Sequence, residues 1–241
     1  MDLKSLINLK PGFAGGLYID PLEILSWFGT CEAYWGHSGD PKDPHAELTT
    51  GMCSNAFFDC LRVLEYLNLS EILADQLAQK IRQTISDQPI DWVIASPMAG
   101  ITFGHDVARA LGATRMFFTE KDPADKDKML WVRRTIPAGE TVLQIEELIT
   151  TSKTTNAVQL AVDEGNKEPV NWIPLVGALV YRPKHLMPRI NMCGERQVIS
   201  LIAKEVWAVD QKECPLCAAG SLRYKPKKDK NWDILTGKIK L

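Results

Sequence analysis

Apolar and polar positions follow two rhythms along this chain. Short apolar runs recur at residues 92–95, 115–119, 142–146 and 175–180, each bounded by turn-forming or charged residues, which is the pattern of buried strands. Between them, apolar residues fall at helical spacing. The longest such stretch is 61–86, where Leu61, Leu64, Leu67, Ile72, Leu73, Leu77 and Ile81 form one stripe, with a break expected at 68–70. Residues 101–111 and 156–164 are shorter helices. Asp20-Pro21 reads as an N-cap with proline at the first helical position, opening a helix faced by Leu22, Ile24, Leu25, Trp27 and Phe28. Strands alternating with helices predict an α/β fold, a doubly wound parallel sheet. Two further β-rich runs, 198–202 and 206–209, follow; the first also reads as the end of a helix.

One stretch carries more chemistry than the rest. Residues 142–145 are apolar apart from Gln144, and they lead into Glu146-Glu147-Leu148-Ile149-Thr150-Thr151-Ser152-Lys153-Thr154. A strand, an acidic pair, a hydroxyl-rich turn and a helix start form a device for sugar phosphates. Backbone N–H groups and hydroxyls at a helix start bind phosphate. Carboxylates at the strand end hold ribose hydroxyls or a Mg²⁺, which prefers oxygen ligands. Open α/β sheets bind ligands at the carboxyl ends of their strands. The alternative is a Thr-rich cap after an ordinary strand.

This stretch resembles the phosphoribosyl diphosphate (PRPP) motif of type I phosphoribosyltransferases, and the chain as a whole most resembles the orotate phosphoribosyltransferases. The match to the PRPP motif has no gap. It departs in Glu147, where the family usually has Asp, and in Ser152 and Lys153, where the family has glycines. A glycine adopts φ > 0 without strain, so Ser152 bears on how tightly the loop closes. The resemblance continues in order over residues 45–220. Residues 45–54 match a segment that forms a hood over the base, through Leu48, Gly51 and Ser54, with Thr50 and Cys53 departing. Ser96-Pro97-Met98-Ala99-Gly100 matches the diphosphate loop. Thr119-Glu120-Lys121, Met129 and Arg133-Arg134 follow the layout of the catalytic loop, whose Pro, Asp and Lys density (Lys121, Lys126 and Lys128 among them) suggests an exposed, mobile segment. Arg182 matches an arginine that pairs with the orotate carboxylate, with Tyr181 standing where an acid is usual.

The resemblance implies a type I phosphoribosyltransferase fold with an N-terminal hood. The expected division is a hood and dimer region over 1–60, joined by parts of the C-terminus, a core over 61–212, and an extension over 213–241. It implies transfer of the phosphoribosyl group from PRPP to a nitrogenous base, orotate first, in pyrimidine nucleotide synthesis. Lys121, Glu146 and Glu147 would be catalytic. PRPP would be held by Ser96 to Gly100, Lys121, Arg134, the acidic pair, Leu148, Ile149, Thr150, Thr151, Ser152, Lys153 and Thr154. Thr150 and Arg182 would hold the base. Mg²⁺ is the expected cofactor and a homodimer the expected assembly. Two other readings stay open: a different acceptor base, or a non-catalytic nucleotide-sensing regulator on the same fold.

Bulk properties narrow the picture. The chain has 241 residues, 45% hydrophobic and 24% charged, with a net charge of −2, as in globular proteins. That balance gives no reason to expect a nucleic-acid partner. No apolar stretch approaches a membrane span and no signal peptide is evident, so the cytoplasm is the expected compartment. Six irregularly spaced cysteines do not form a secreted disulfide framework. Cys214-Pro215-Leu216-Cys217 supplies two of the four ligands of a structural zinc. Cys193 and His185 are the candidates to complete the set, a loose constellation against which the sequence weighs. Residues 225–241 are basic and read as a solvated extension.

Overall fold

Local sequence explains most element boundaries in the computed structural model, which describes residues 1–125, 127–187 and 189–239. After a single turn, α1 (Leu3–Leu6), comes α2 (Pro21–Thr30), where Asp20 accepts a hydrogen bond from the Leu22 N–H at 2.7 Å as its cap. Four short strands follow: β1 (Tyr34–Gly36), β2 (His45–Glu47), β3 (Cys53–Ser54) and β4 (Ala56–Phe58). Strands β2 and β3 form an antiparallel hairpin. Its turn closes through the Leu48 N–H to the Met52 carbonyl at 2.8 Å, with Gly51 at φ +83°. That left-handed conformation suits glycine.

The long helical stripe divides into α3 (Leu61–Leu64) and α4 (Leu67–Ile85). The break falls at residues 65–66 rather than 68–70. Asn68 and Ser70 do not end the helix because their side chains find partners sideways: Asn68 donates to the Leu6 and Leu9 carbonyls and Ser70 to Asp106. Leu61 and Leu67, read as core from spacing, are 52% and 82% exposed. The chain continues through β5 (Trp92–Ala95), α5 (Ala99–Leu111), β6 (Arg115–Phe118), the ribbon β7 (Glu120–Lys121) and β8 (Met129–Leu130), β9 (Thr141–Ile149), α6 (Lys153–Gly165), β10 (Asn171–Tyr181), β11 (Met192–Cys193) and β12 (Arg196–Ala203). It ends in β13 (Ala208–Val209), α7 (Pro215–Ala218), β14 (Arg223–Tyr224) and α8 (Asn231–Leu235). Helix α6 starts three residues earlier than its apolar pattern suggests, and β9 runs on through the acidic pair. The 198–202 run is strand, not helix end.

The central sheet has the order β11-β12-β10-β9-β5-β6. All neighbours are parallel except the β11 edge. This is the expected doubly wound sheet, two strands wider than the four runs predicted. The order in which strands are added reverses between β5 and β9: β6 lies outward of β5, whereas β10 and β12 lie on the other side of β9. That reversal opens a crevice at the carboxyl ends of β5 and β9. The main core lies between the sheet and α2, α4 and α5, around Phe28, Leu73, Leu77, Ile81, Phe103 and Leu143. The opposite face carries α6 and an aromatic cluster of Trp92, Trp131 and Phe117. Tyr181, the residue in place of the usual acid, is 5% exposed, and its hydroxyl donates to the Met192 carbonyl. It packs in the edge cluster with Ile149, Val176 and Val198.

The C-terminal stretch is not a solvated extension. Strand β14 pairs with β2, completing the sheet β13-β3-β2-β14. Trp232 and Leu235 are buried with Trp35 and Ala46, and the Trp35 indole N–H donates to the Leu235 carbonyl at 2.7 Å. Two apolar side chains on one turn of α8 suffice to dock it, although basic residues surround them. The β2–β3 hairpin and the C-terminal segment therefore build one small hood sheet together, whereas α2 belongs to the main core. The expected zinc partners also separate. Cys193 sits on β11 with its thiol 3.6 Å from Asn156 Oδ1, and His185 is exposed in the loop after β10.

Candidate active site

Four segments meet where β5 and β9 end. Ser96 leaves β5, and Glu146 and Glu147 lie near the end of β9. Lys121 comes from the ribbon, and Lys153 and Thr154 open α6. With Pro97 and Leu148 they line one cavity of about 350 Å³, which Asp127 and Met129 close from the ribbon side. The topology thus brings together Ser96, Pro97, Lys121, Glu146, Glu147, Leu148, Lys153 and Thr154 of the residues singled out in sequence. Lys126 lies outside the described residues.

Glu146 is the buried pivot. It is 2% exposed, accepts hydrogen bonds from the Ser96 hydroxyl and, at 2.6 Å, from the Gln144 amide. Burial pushes its carboxyl up to about 8, with the neighbouring Glu147 adding to the shift and the bonds from Ser96 and Gln144 opposing it. Burial raises Glu147 as well, and its Oε2 is buried without a partner. Two poorly solvated carboxylates, one with an idle acceptor, are poised to take hydroxyl donors from a ligand.

Spacing alone did not single out the support beneath them. Arg196, 6% exposed on β12, donates to Gln144 Oε1 at 2.6 Å, and Gln144 passes its amide to Glu146 and to the Thr155 carbonyl. The signal was present, since Gln144 is the one polar residue inside an apolar strand. Its buried amide needs partners on both sides, and only the fold reveals that Arg196 is one of them.

The remaining candidates divide. Ala99 and Gly100 form the first turn of α5 rather than part of the turn before it. A Cβ on Gly100 would lie 2.9 Å from Ser96 Oγ and 3.3 Å from Glu147 Oε2, so the helix approaches the acidic pair closely because this residue has no side chain. Met98 is 79% exposed. Ile149 points into the core at 1% exposure, and its carbonyl accepts from the Arg182 N–H. Thr150, Thr151 and Ser152 form the bend into α6. Arg133 and Arg134 stay outside the cavity: Arg133 pairs with Glu120, and Arg134 lies over the Phe117 ring at 5.0 Å. Arg182 stands at the end of β10 with its Nε buried and unpartnered, and burial pulls its guanidinium below the ordinary range.

Ser152 takes the conformation of the glycine it replaces, with φ +63°, and its side chain makes no capping hydrogen bond. A non-glycine residue pays about 1–2 kcal/mol there, partly offset in glycine by chain entropy of about 0.5–1 kcal/mol. Ser152→Gly is expected to raise stability by up to about 1 kcal/mol without weakening PRPP binding, read by urea denaturation beside a binding isotherm. A loss of stability would mean the hydroxyl has a partner. Lys153 is engaged across the cavity mouth, with its ammonium 2.6 Å from Asp127 and both side chains mostly exposed. Releasing it should help an anionic ligand. Asp127→Asn is expected to lower the KM for PRPP several-fold at low salt with kcat nearly unchanged, and the gain should shrink at high salt, where exposed charges are screened. An unchanged or higher KM at low salt would count against competition.

No family model matches the chain. Individual relatives do. An orotate phosphoribosyltransferase of Desulforamulus reducens is 31% identical over 184 residues, 76% of this chain and 87% of that protein. One from Pelotomaculum thermopropionicum is 32% identical over 196 residues, 80% of this chain and 94% of that protein. Among solved structures, orotate phosphoribosyltransferase from Aeropyrum pernix superposes with a TM-score of 0.51 at 13% identity, over 75% of this chain and 93% of that one. The Mycobacterium tuberculosis H37Rv protein gives 0.51 at 16%, over 77% and 97%. At such identities these structures speak for the fold, which is the type I phosphoribosyltransferase fold; the sequence relatives carry the assignment further, and the chain belongs to the orotate phosphoribosyltransferase family.

Proposed function

We propose that the site transfers the 5-phosphoribosyl group of PRPP to orotate, giving orotidine 5′-phosphate and diphosphate for pyrimidine nucleotide synthesis. The observation that carries this reading is the meeting of the acidic pair, the turn after β5 and Lys121 in one cavity. The C1–oxygen bond to diphosphate breaks, a bond from the orotate ring nitrogen to C1 forms, and the ring N–H proton leaves to solvent. Positive charge builds on the sugar and negative charge on the leaving group, so the protein's part is to position and to neutralise. Glu146 and Glu147 take the ribose hydroxyls. The backbone N–H groups opening α6, with Thr150 to Thr154, take the 5′-phosphate. The segment from Ser96 to Gly100, with Lys121, takes the diphosphate. Arg182, whose buried Nε lacks an acceptor, takes the orotate carboxylate, which a guanidinium grips through parallel hydrogen bonds.

Mg²⁺ is the proposed cofactor. The idle, buried Oε2 of Glu147 and the neighbouring Glu146 are oxygen donors of the kind it prefers, and when bound it supplies charge neutralisation of the diphosphate. The assembly proposed is a homodimer, supported by Leu61 and Leu67, exposed beside an apolar groove between α3 and α5. A cytoplasmic location is supported by six unpaired thiols; among the described residues no helix is long and apolar enough to cross a membrane.

The test is a PRPP- and Mg²⁺-dependent assay following loss of orotate absorbance, with Arg182→Ala alongside. Wild type should consume orotate, and the variant should fail mainly through KM for orotate. Binding of PRPP without turnover of orotate would make the acceptor another base. The absence of both PRPP binding and orotate turnover would overturn the catalytic reading.

A further inference from the structure

Four side chains distant in sequence converge in the hood. His45 lies on β2 and Cys53 on β3, while Cys214 and Cys217 flank the start of α7. One potential ligand atom from each lies within 4.8 Å of all the others. The Cys53 and Cys217 sulfurs are 3.6 Å apart, and His45 Nε2 is 3.6 Å from the Cys214 sulfur and 3.4 Å from that of Cys217. A tetrahedral zinc with ordinary Zn–S and Zn–N bonds has S···S edges of about 3.8 Å and S···N edges of about 3.5 Å. The three separations match those edges. A disulfide would need sulfurs about 2.0 Å apart.

The surroundings orient the histidine. Its Nδ1 is 2.8 Å from the Ser221 hydroxyl. That hydroxyl gives its own hydrogen to the Asp43 carbonyl at 2.6 Å, so it accepts from His45 Nδ1–H. The proton is thereby fixed on Nδ1, and the bare lone pair of Nε2 faces the thiols. Metal-binding histidines are held this way, through a hydrogen bond from the other ring nitrogen. The Cys217 N–H also points to the Cys214 sulfur at 3.4 Å. His45, Cys53 and Cys214 are at most 1% exposed.

We propose that His45, Cys53, Cys214 and Cys217 form a structural Zn²⁺ site that fastens the C-terminal segment to the N-terminal hairpin. All four positions come from protein side chains, as in closed structural sites rather than catalytic ones. The location has a physical reason. The β13-β3-β2-β14 sheet is built of two- and three-residue strands, and its own apolar cluster is small, with Trp35, Ala46, Trp232 and Leu235 as its buried members. Metal ligation replaces the missing core in such small units. The proposal does not depend on the substrate assignment, because its readout is metal and needs no substrate.

The experiment is elemental analysis of the full-length chain, purified without a metal-affinity tag from zinc-supplemented cells, followed by zinc X-ray absorption. About one zinc per chain with three sulfur neighbours and one nitrogen is expected. Cys217→Ser removes the most accessible ligand and should lose most of the zinc, whereas Cys31→Ser, buried beside α2, should keep it. If ligand variants unfold, the sulfur and nitrogen count on wild type still decides. Zinc-free wild type, a Cys53–Cys217 or Cys214–Cys217 disulfide found by mass spectrometry in reducing lysates, or an oxygen-rich zinc shell would overturn the proposal.

Discussion

Glu146→Gln is expected to make the protein more stable and nearly inactive. The glutamate carboxyl is pushed up to about 8 from an ordinary 4.5. Between those values the folded chain holds a proton that the unfolded chain has released. Stability therefore falls as pH rises through that window, by up to about 1.4 kcal/mol per pH unit. An amide has no such titration. It fits the existing partners, accepting from Gln144 and donating to Ser96. At pH 8 the melting temperature of the variant should exceed that of wild type by several degrees, since about 1 kcal/mol moves a chain of this size by about 2–4 °C. The difference should shrink as pH falls and vanish only below the ordinary carboxyl value of 4.5. Function moves the other way. Above about pH 8, where the folded chain has released that proton, a carboxylate accepting ribose hydroxyls contributes about 1.5–3 kcal/mol per charged hydrogen bond, so kcat/KM for PRPP should fall about 100-fold there. Calorimetry across pH, paired with the orotate assay, tests both halves. An equal melting temperature at pH 8 would mean that the buried carboxyl is better solvated than its burial implies.

Gly100→Ala should be the most damaging of the small substitutions. In an open helical position, alanine stabilises by about 1 kcal/mol relative to glycine. Gly29 of α2 has such open space around it, and Gly29→Ala should be mildly stabilising. At Gly100 the new carbon would press on Ser96 Oγ and Glu147 Oε2. Ser96 cannot yield without breaking its bond to Glu146, and moving Glu147 displaces the second acid. A cost of about 1–3 kcal/mol in stability is expected from the overpacking, together with at least a tenfold loss of PRPP affinity, seen in denaturation midpoints and binding isotherms. Unchanged affinity would show that the helix start can back away from the acids.

The sheet was legible because its central strands are buried on both faces and therefore read as unbroken apolar runs. The acidic pair and the hydroxyl turn were legible because phosphate and ribose demand particular groups in a particular order. What escaped the sequence depends on contacts across long separations. Arg196 is joined to Glu146 by hydrogen bonds through Gln144. Leu61 and Leu67 keep helical spacing yet face outward, because α3 and α4 are separate segments. The C-terminal residues look solvated because Lys and Asp outnumber Trp232 and Leu235, and composition weighs every residue alike while docking needs only two. The Cys-x-x-Cys motif was visible, but its partners lie on the other side of the core in sequence, on a hairpin completed before residue 60.

The indole of Trp35 donates to the carbonyl of Leu235, 200 residues away, and β2 takes β14 as its neighbour. During synthesis the parallel sheet can assemble once β12 has emerged. The hood, whose first strands are made before any of the sheet, must wait for residues 223–235 before it can close. Contacts of such long range are slow to form, so each nascent chain carries Trp35, Ala46 and the hairpin edge uncovered until residues 223–235 are made. Until then an exposed N-terminal apolar edge on an otherwise folded core is a surface open to off-pathway association.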